Sequence, residues 1–266
     1  MSYKSSITQK KIWGSSDSKI PTVHYVGTKE LNEREKSYIA TNNKEYLFLN
    51  TEDSYSNLAK KTLMAFQEIY KNYEFDFIFR TNTSSFIDLK KLENFLNFES
   101  DNLSYSGKLT ETTEGFTIAS GAGFFISKEN VSILLKNTES FDEKLPDDVA
   151  IAKTLSQHMI FPTNLRRIDL KNVPNPRYIK ENKEFHYRCR LDPQFHRFLE
   201  PLLLKYLNFV SKDKRIISKQ FAYIFVKLLF NFSNIKINRK LIQKYYSYKF
   251  YGELQIGNKI IYRLDE

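Results

Sequence analysis

The sequence predicts an α/β protein: a mixed, mostly parallel sheet flanked by helices, followed by a basic helical C-terminal extension. Three observations carry this. Short β-branched or aromatic runs alternate with stretches of helical apolar spacing. Hydrophobic residues make up 41% and aromatics 15% of the 266 residues, enough for a sizeable core and too many for general disorder. Positive charge is concentrated in the last quarter of the chain: residues 201–266 hold 13 Lys or Arg against 4 Asp or Glu, +9 of the total +10.

Taken in order, Ile20 to Gly27, Tyr46 to Asn50 and Phe75 to Arg80 are apolar runs ended by turn-formers or polar residues, and each reads as a buried strand. Ser56 to Tyr73 places Leu58, Thr62, Ala65, Phe66 and Ile69 at helical spacing, with Asp53-Ser54 as the expected N-cap, so a strand, helix, strand crossover is expected. Asp88 to Phe98 puts Leu89, Leu92, Phe95 and Leu96 on one helical face. Phe116 to Ser127 is strand-like around a glycine pair, and Pro146 to Met159 is a helix with proline at its start. This alternation is the reason for expecting a largely parallel sheet.

A soft boundary near Pro193 to Pro201 divides residues 1–194, the expected α/β domain, from 195–266, a basic aromatic extension. In the extension Phe221, Ile224, Phe225, Leu228, Leu229 and Phe232 recur at helical spacing near Lys219, Lys227 and Lys236. Such a helix can lie on an anionic membrane, or pack on the body with its lysines as the wet face. Phe250 to Leu264 reads as a closing hairpin turning at Gly257-Asn258. The single Cys189 excludes an internal disulfide, and no stretch resembles a cleaved signal peptide, so a cytoplasmic protein is expected, with a peripheral seat on the inner membrane face as the option the tail opens.

Several chemistries lack their parts. There is no GxGxxG and no GxxxxGK[ST]; Gly121-Ala122-Gly123 lies inside a strand-like segment; the four His and one Cys lack zinc-ligand spacing; and no GxSxG elbow exists.

The order of the remaining segments resembles one family. Gln9-Lys-Lys-Ile-Trp-Gly14, Asp53-Ser-Tyr-Ser-Asn-Leu-Ala-Lys-Lys-Thr-Leu63, Ser120-Gly-Ala-Gly-Phe124, Leu145-Pro-Asp-Asp-Val149 and Phe185-His186 are similar, in sequence order, to stretches of the inverting glycosyltransferases of the Fringe and β1,3-galactosyltransferase type, whose nucleotide-sugar fold is called GT-A. The resemblance spans roughly residues 9–190 and suggests a divergent bacterial-type member. It implies a nucleotide-sugar donor, expected to be a UDP-sugar, and a glycan or lipid-linked acceptor, in surface polysaccharide or lipid-linked oligosaccharide synthesis.

The resemblance also assigns roles. Asp148 matches the family's catalytic position, where a carboxylate takes the proton of the attacking hydroxyl. From position alone, an acidic residue in a helix's first turn is better explained as helix stabilisation, a preference the resemblance reverses, and Asp147 competes for the role. Gly121, Ala122 and Gly123, with Asp147, are expected near the acceptor or sugar, the glycines either admitting a ligand or forming a bulge.

Two departures bear on mechanism. Where the family carries carboxylates of a DxD metal motif, this chain reads Arg80-Thr81-Asn82-Thr83-Ser84-Ser85, and hydroxyls or amides hold Mg²⁺ or Mn²⁺ weakly. The expectation is therefore no metal cofactor, with the diphosphate met by Arg80, His186, Arg188 and Arg190, and with Thr81, Asn82, Thr83, Ser84 and Ser85 lining the donor site. In addition, the dozen residues before Trp13 are not strand-like where the family's first strand belongs. Two other readings compete with the transferase: a catalytically degenerate fold that binds sugar or a partner, and a nucleic-acid-binding protein using the basic, tyrosine-rich tail. The latter leaves the near-neutral body unexplained, and nucleic acid is not among the expected partners.

Overall fold

Among the described residues the alternating pattern folds into three sheets of three or four strands with helices packed on them, and a separate two-stranded hairpin. The computed structural model describes residues 20–29, 37–39, 46–99, 103–190, 199–212, 215–234, 254–256 and 259–262. In chain order the elements are β1 (His24–Thr28), β2 (Ser37–Ile39), β3 (Tyr46–Asn50), α1 (Leu58–Asn72), β4 (Phe77–Thr81), β5 (Ser85–Ile87), α2 (Leu89–Glu99), β6 (Tyr105–Glu111), β7 (Thr117–Ser127) and α3 (Lys128–Lys136). They continue with α4 (Asp147–Ser156), β8 (Thr163–Asn164), β9 (Ile168–Asp169), α5 (Pro176–Glu181), β10 (His186–Arg188), α6 (Glu200–Lys212), α7 (Ile216–Asn234), β11 (Leu254–Ile256) and β12 (Lys259–Tyr262). The expected mixed α/β architecture, with sheets flanked by helices, is the one observed.

The sheets run in the orders β1-β3-β2, β4-β7-β6-β8 and β5-β10-β9. The first has the expected parallel neighbours, His24 opposite Tyr46 through Thr28 opposite Asn50. Around β7 the sheet departs from the mostly parallel expectation, because both β4 and β6 run antiparallel to it. The physical cause is β6, a strand the apolar pattern did not announce. Its second half is exposed, and a tight turn joins it to β7 with Gly115 at φ 79, a left-handed conformation that suits glycine. The crossover through α1 joins β3 to β4 across two separate sheets.

α1 begins later than its expected cap. Asn57 occupies the N-cap without a side-chain hydrogen bond to the helix amides, and Asp53 instead pairs with the buried Lys61 amine. The cap expectation fails because this ion pair engages the carboxylate that would otherwise reach the helix amides.

β7 is the centre of the core. Phe125 enters a cluster with Phe86, Ile87, Phe185 and Tyr187, while Phe124 and Ile126 enter a second cluster with α1, α3 and α4 residues such as Phe66, Leu134 and Ile151. A strand buried on both faces reads as a continuous apolar run, which is why it was visible in the sequence. α6 joins the first cluster through Leu203, Leu204, Leu207 and Val210, and α7 through Val226. α7 packs on the body with Lys227 exposed, as one reading expected, but lysines do not make up its whole outer face. The side chains opposite Val226 are Ile217, Phe221, Ile224 and Leu228, and all are exposed. The closing hairpin is present as β11 antiparallel to β12, while its turn, the Trp13 segment and the domain boundary lie outside the described residues.

Leu207 is fully buried between α6 and the sheet residues. Leu207→Ala is expected to lower the unfolding free energy of the whole protein by about 2–5 kcal/mol in one cooperative denaturant transition. A separate small transition, with the main one unmoved, would show that α6 is not part of this core.

Candidate functional site

The site forms where β7 meets the first turn of α4 on one side and β10 on the other. Gly121 and Gly123 are needed there for space, since neither has a left-handed backbone. A Cβ on Gly121 would lie 2.8 Å from Asp148 Oδ2, and one on Gly123 would lie 2.3 Å from His186 Cε1. The glycines admit the protein's own side chains, a third reason beside the ligand approach or bulge expected from sequence.

Two neighbouring aspartates then hold the backbone of one residue, Asp148 directly and Asp147 through Arg80. The Gly121 amide donates to Asp148 Oδ2 at 2.7 Å. The Gly121 carbonyl accepts from Arg80, whose guanidinium also donates to Asp147 Oδ2. Asp147 Oδ2 further accepts from Thr62 Oγ1 at 2.9 Å, and the Tyr25 hydroxyl lies 3.1 Å from Thr62 Oγ1 and accepts from Arg80 Nε at 3.3 Å. Burial works against the charge on Arg80, but Asp147, Tyr25 and Asp148 outweigh it and keep the guanidinium protonated. Burial likewise pushes the Asp147 carboxyl upward against the pull of Arg80.

This corrects two expectations. Asp147 is 2% exposed and faces Arg80 and Thr62 instead of a sugar, and Arg80 is buried against that carboxylate instead of meeting a diphosphate. The pattern of alternating burial decides it: consecutive residues in a first helical turn point about 100° apart, so only one of two adjacent aspartates can turn inward. Asp148 is the half-buried one. Its Oδ1 accepts from the neighbouring Val149 amide at 3.1 Å. A carboxylate offers about four lone-pair directions, so it retains capacity for an incoming hydroxyl.

The segment replacing the metal motif is a tight turn. Asn82 Oδ1 accepts from the Ser84 amide at 3.1 Å, and the Thr81 hydroxyl donates to the Ala122 carbonyl at 2.8 Å. Ser85 Oγ lies 2.9 Å from the Ala122 carbonyl, 3.1 Å from Asn82 Oδ1 and 3.1 Å from His186 Nε2. The hydroxyl has one proton and faces two oxygens, so His186 Nε2 is the partner that donates. Thr81, Ala122 and Ser85 thus bond to one another, while Asn82, Thr83 and Ser84 remain half-buried along the turn.

His186 is a correction too. Its ring is buried, and burial with the nearby Arg167 lowers its pKa to about 3, against the opposing pull of Asp169. It is a neutral packing residue beside Phe79 and Gly123 and has no charge for a phosphate. Arg188 is half-buried at the opposite end of β10, paired in register with Ser85, and Arg190 is exposed just beyond it.

One residue went unnoticed in the sequence. Arg167 donates from Nε to Asp169 Oδ1 at 2.8 Å and from its terminal nitrogens to Asp169 Oδ2 at 3.3 Å and to Ser120 Oγ at 3.0 Å. Asp169 is exposed, and against a desolvation that works upward Arg167 and Lys108 hold its carboxyl below the usual range. The alternation of Arg167 and Asp169 was the available signal, hidden because their strand is only two residues long. Among the described residues, no three His, Cys, Asp or Glu side chains converge as a metal cluster would require.

The profile of the galactosyltransferase family matches residues 7–118. A search of curated proteins finds no match. The matched stretch runs from before β1 into the start of β7 and includes the Arg80 to Ser85 segment, but it ends ahead of Gly121, Asp148 and His186. It supports a galactosyltransferase-like protein, glycosyltransferase activity, and with these a nucleotide-sugar donor and a glycan acceptor.

Two outcomes separate the roles above. Asp147→Asn leaves Arg80 buried without its counter-charge and is expected to cost about 3–5 kcal/mol of unfolding free energy in urea. For His186, the folded pKa of about 3 lies below the ordinary 6.5, so the unfolded chain binds more protons as pH falls. That group's stabilisation is complete above pH 6.5 and is lost as pH falls from there toward 3, by about 2 kcal/mol between pH 8 and 5. His186→Gln should lack this part of the pH dependence, and an unchanged profile would mean that the histidine is not buried neutral.

Proposed function

We propose that this protein is an inverting glycosyltransferase that moves a sugar from a UDP-sugar to a hydroxyl of a glycan or lipid-linked oligosaccharide in surface polysaccharide synthesis, with Asp148 as general base. The observation that carries this reading is the division between two adjacent carboxylates: Asp147 is locked inside with Arg80, while Asp148 is half-buried and aimed by the Gly121 amide. The galactosyltransferase match supports the reaction class.

In the proposed step the acceptor hydroxyl gives its proton to the Asp148 carboxylate as its oxygen bonds to the anomeric carbon. The bond from that carbon to the diphosphate oxygen breaks on the opposite face, so configuration inverts and the nucleoside diphosphate leaves with the electron pair.

A divalent ion, which the family resemblance implies, does not fit the residues present. Asn82, Thr83 and Ser84 are neutral, Ser85 and His186 bond to each other, and among the described residues no carboxylate cluster adjoins them. The leaving diphosphate is assigned instead to Arg188 and Arg190, beside the Asn82 to Ser84 turn, because arginine meets phosphate oxygens with paired permanent donors.

Asp148→Asn is expected to lower turnover by about 10²–10⁴-fold while UDP still raises the melting temperature as it does for the unmodified protein. Transfer and UDP stabilisation should both persist in EDTA. Full turnover by Asp148→Asn would remove it as the base, and transfer that stops in EDTA and returns with Mn²⁺ would overturn the metal-free reading.

A further inference from the structure

Helix α7 has two apolar faces, and only one is covered. Ala222, Tyr223 and Val226 pack on the core beside α6. On the opposite side Ile217, Phe221, Ile224 and Leu228 follow the spacing i, i+4, i+7, i+11 and form one stripe, with Phe225 beside it. These five side chains are between 48% and 74% exposed. Elsewhere among the described residues the exposed large apolar side chains do not form such a run along a single helix. A contiguous stripe of this kind marks a contact surface.

The charge around the stripe says which contact. α7 contains no Asp or Glu; Lys227 is exposed beside the stripe on the same helix, and the exposed Lys212 and Arg215 precede the helix in the chain, within a C-terminal region carrying +9. A positively bordered apolar ridge bearing two phenylalanines matches a surface that is negative at its face and apolar just beneath. The protein body stands where the polar face of a free interfacial helix would be. No helix among the described residues is long and apolar enough to cross a membrane, so the stripe is suited to lying in the interface.

We propose that α7 docks this protein on an anionic lipid bilayer, with Ile217, Phe221, Ile224, Phe225 and Leu228 entering the headgroup boundary and the bordering cations meeting lipid phosphates. This goes beyond the transferase reading and does not depend on it. It also has a structural route to the site: α6, packed against α7, contacts β5, and Glu200 at its start accepts a 3.4 Å hydrogen bond from Ser84 in the turn after β4.

The test is flotation of the full chain with phosphatidylcholine vesicles, with and without about one third phosphatidylglycerol. The unmodified protein should float with the anionic vesicles only, and less as salt rises. Phe221→Ser/Ile224→Ser/Leu228→Ser should lose at least about tenfold in that binding with no fall in melting temperature. Lys212→Glu/Arg215→Glu/Lys227→Glu, which leaves the stripe intact, should lose binding as well. Four results overturn the proposal: no binding to anionic vesicles, equal binding to neutral ones, a lowered melting temperature in the serine variant, which shows the stripe to be covered by the chain itself, or lipid-free self-association that this variant abolishes, which makes a second copy the occupant.

Discussion

The buried pairing of Arg80 with Asp147 is the constraint on which the site depends. A guanidinium inside an apolar core is tolerable only when its donors are met, and here they are met by a carboxylate of α4, a carbonyl of β7 and the tyrosine hydroxyl of β1. Those three partners come from separate parts of the chain, and Thr62 adds α1 through the same carboxylate. The ion pair therefore fixes the first turn of α4 against the middle of β7. Once Asp147 is turned inward, helical geometry places Asp148 at the Gly121 amide.

The same economy of space governs the other side of β7. His186 occupies the volume that a side chain at position 123 would fill, and its ring stacks edge-on with Phe79. A histidine that resembles a metal ligand by sequence is here a neutral spacer, bonded to Ser85 where an anionic motif would stand in the resembled family. Loss of carboxylates from the turn and neutrality of the histidine are mutually consistent, because a buried imidazolium would have no counter-charge at that position. Arg188, Arg190 and the Glu200 carboxylate stand near the turn, and Arg167 stands near Ser120.

The C-terminal helices join this arrangement through packing. α6 buries leucines in the cluster that holds Phe86 and Tyr187, so the strand after the donor-side turn and the helix that follows residues 191–198 share one core. α7 rests on that core with one apolar face and presents another outward. A helix with apolar residues around its whole circumference conveys little by periodicity, since its moment averages opposing faces.

What the sequence by itself determined is what local pattern controls: the strands β1, β3, β4 and β7, the helices α1, α2 and α4, the closing hairpin, and the segment order that resembles a glycosyltransferase. Tyr46 to Asn50 and Thr117 to Ser127 were legible because strands buried on both sides carry continuous apolar runs. Tertiary structure decided the rest, because it depended on partners far apart in the chain. Which of Asp147 and Asp148 turns inward follows from Arg80, 67 residues from Asp147. The neutral state of His186 follows from burial against β7 and from Ser85, 101 residues away. The half-exposed β6, the Arg167 cluster and the open face of α7 likewise arise from which surfaces other elements cover, a property that no window of sequence contains.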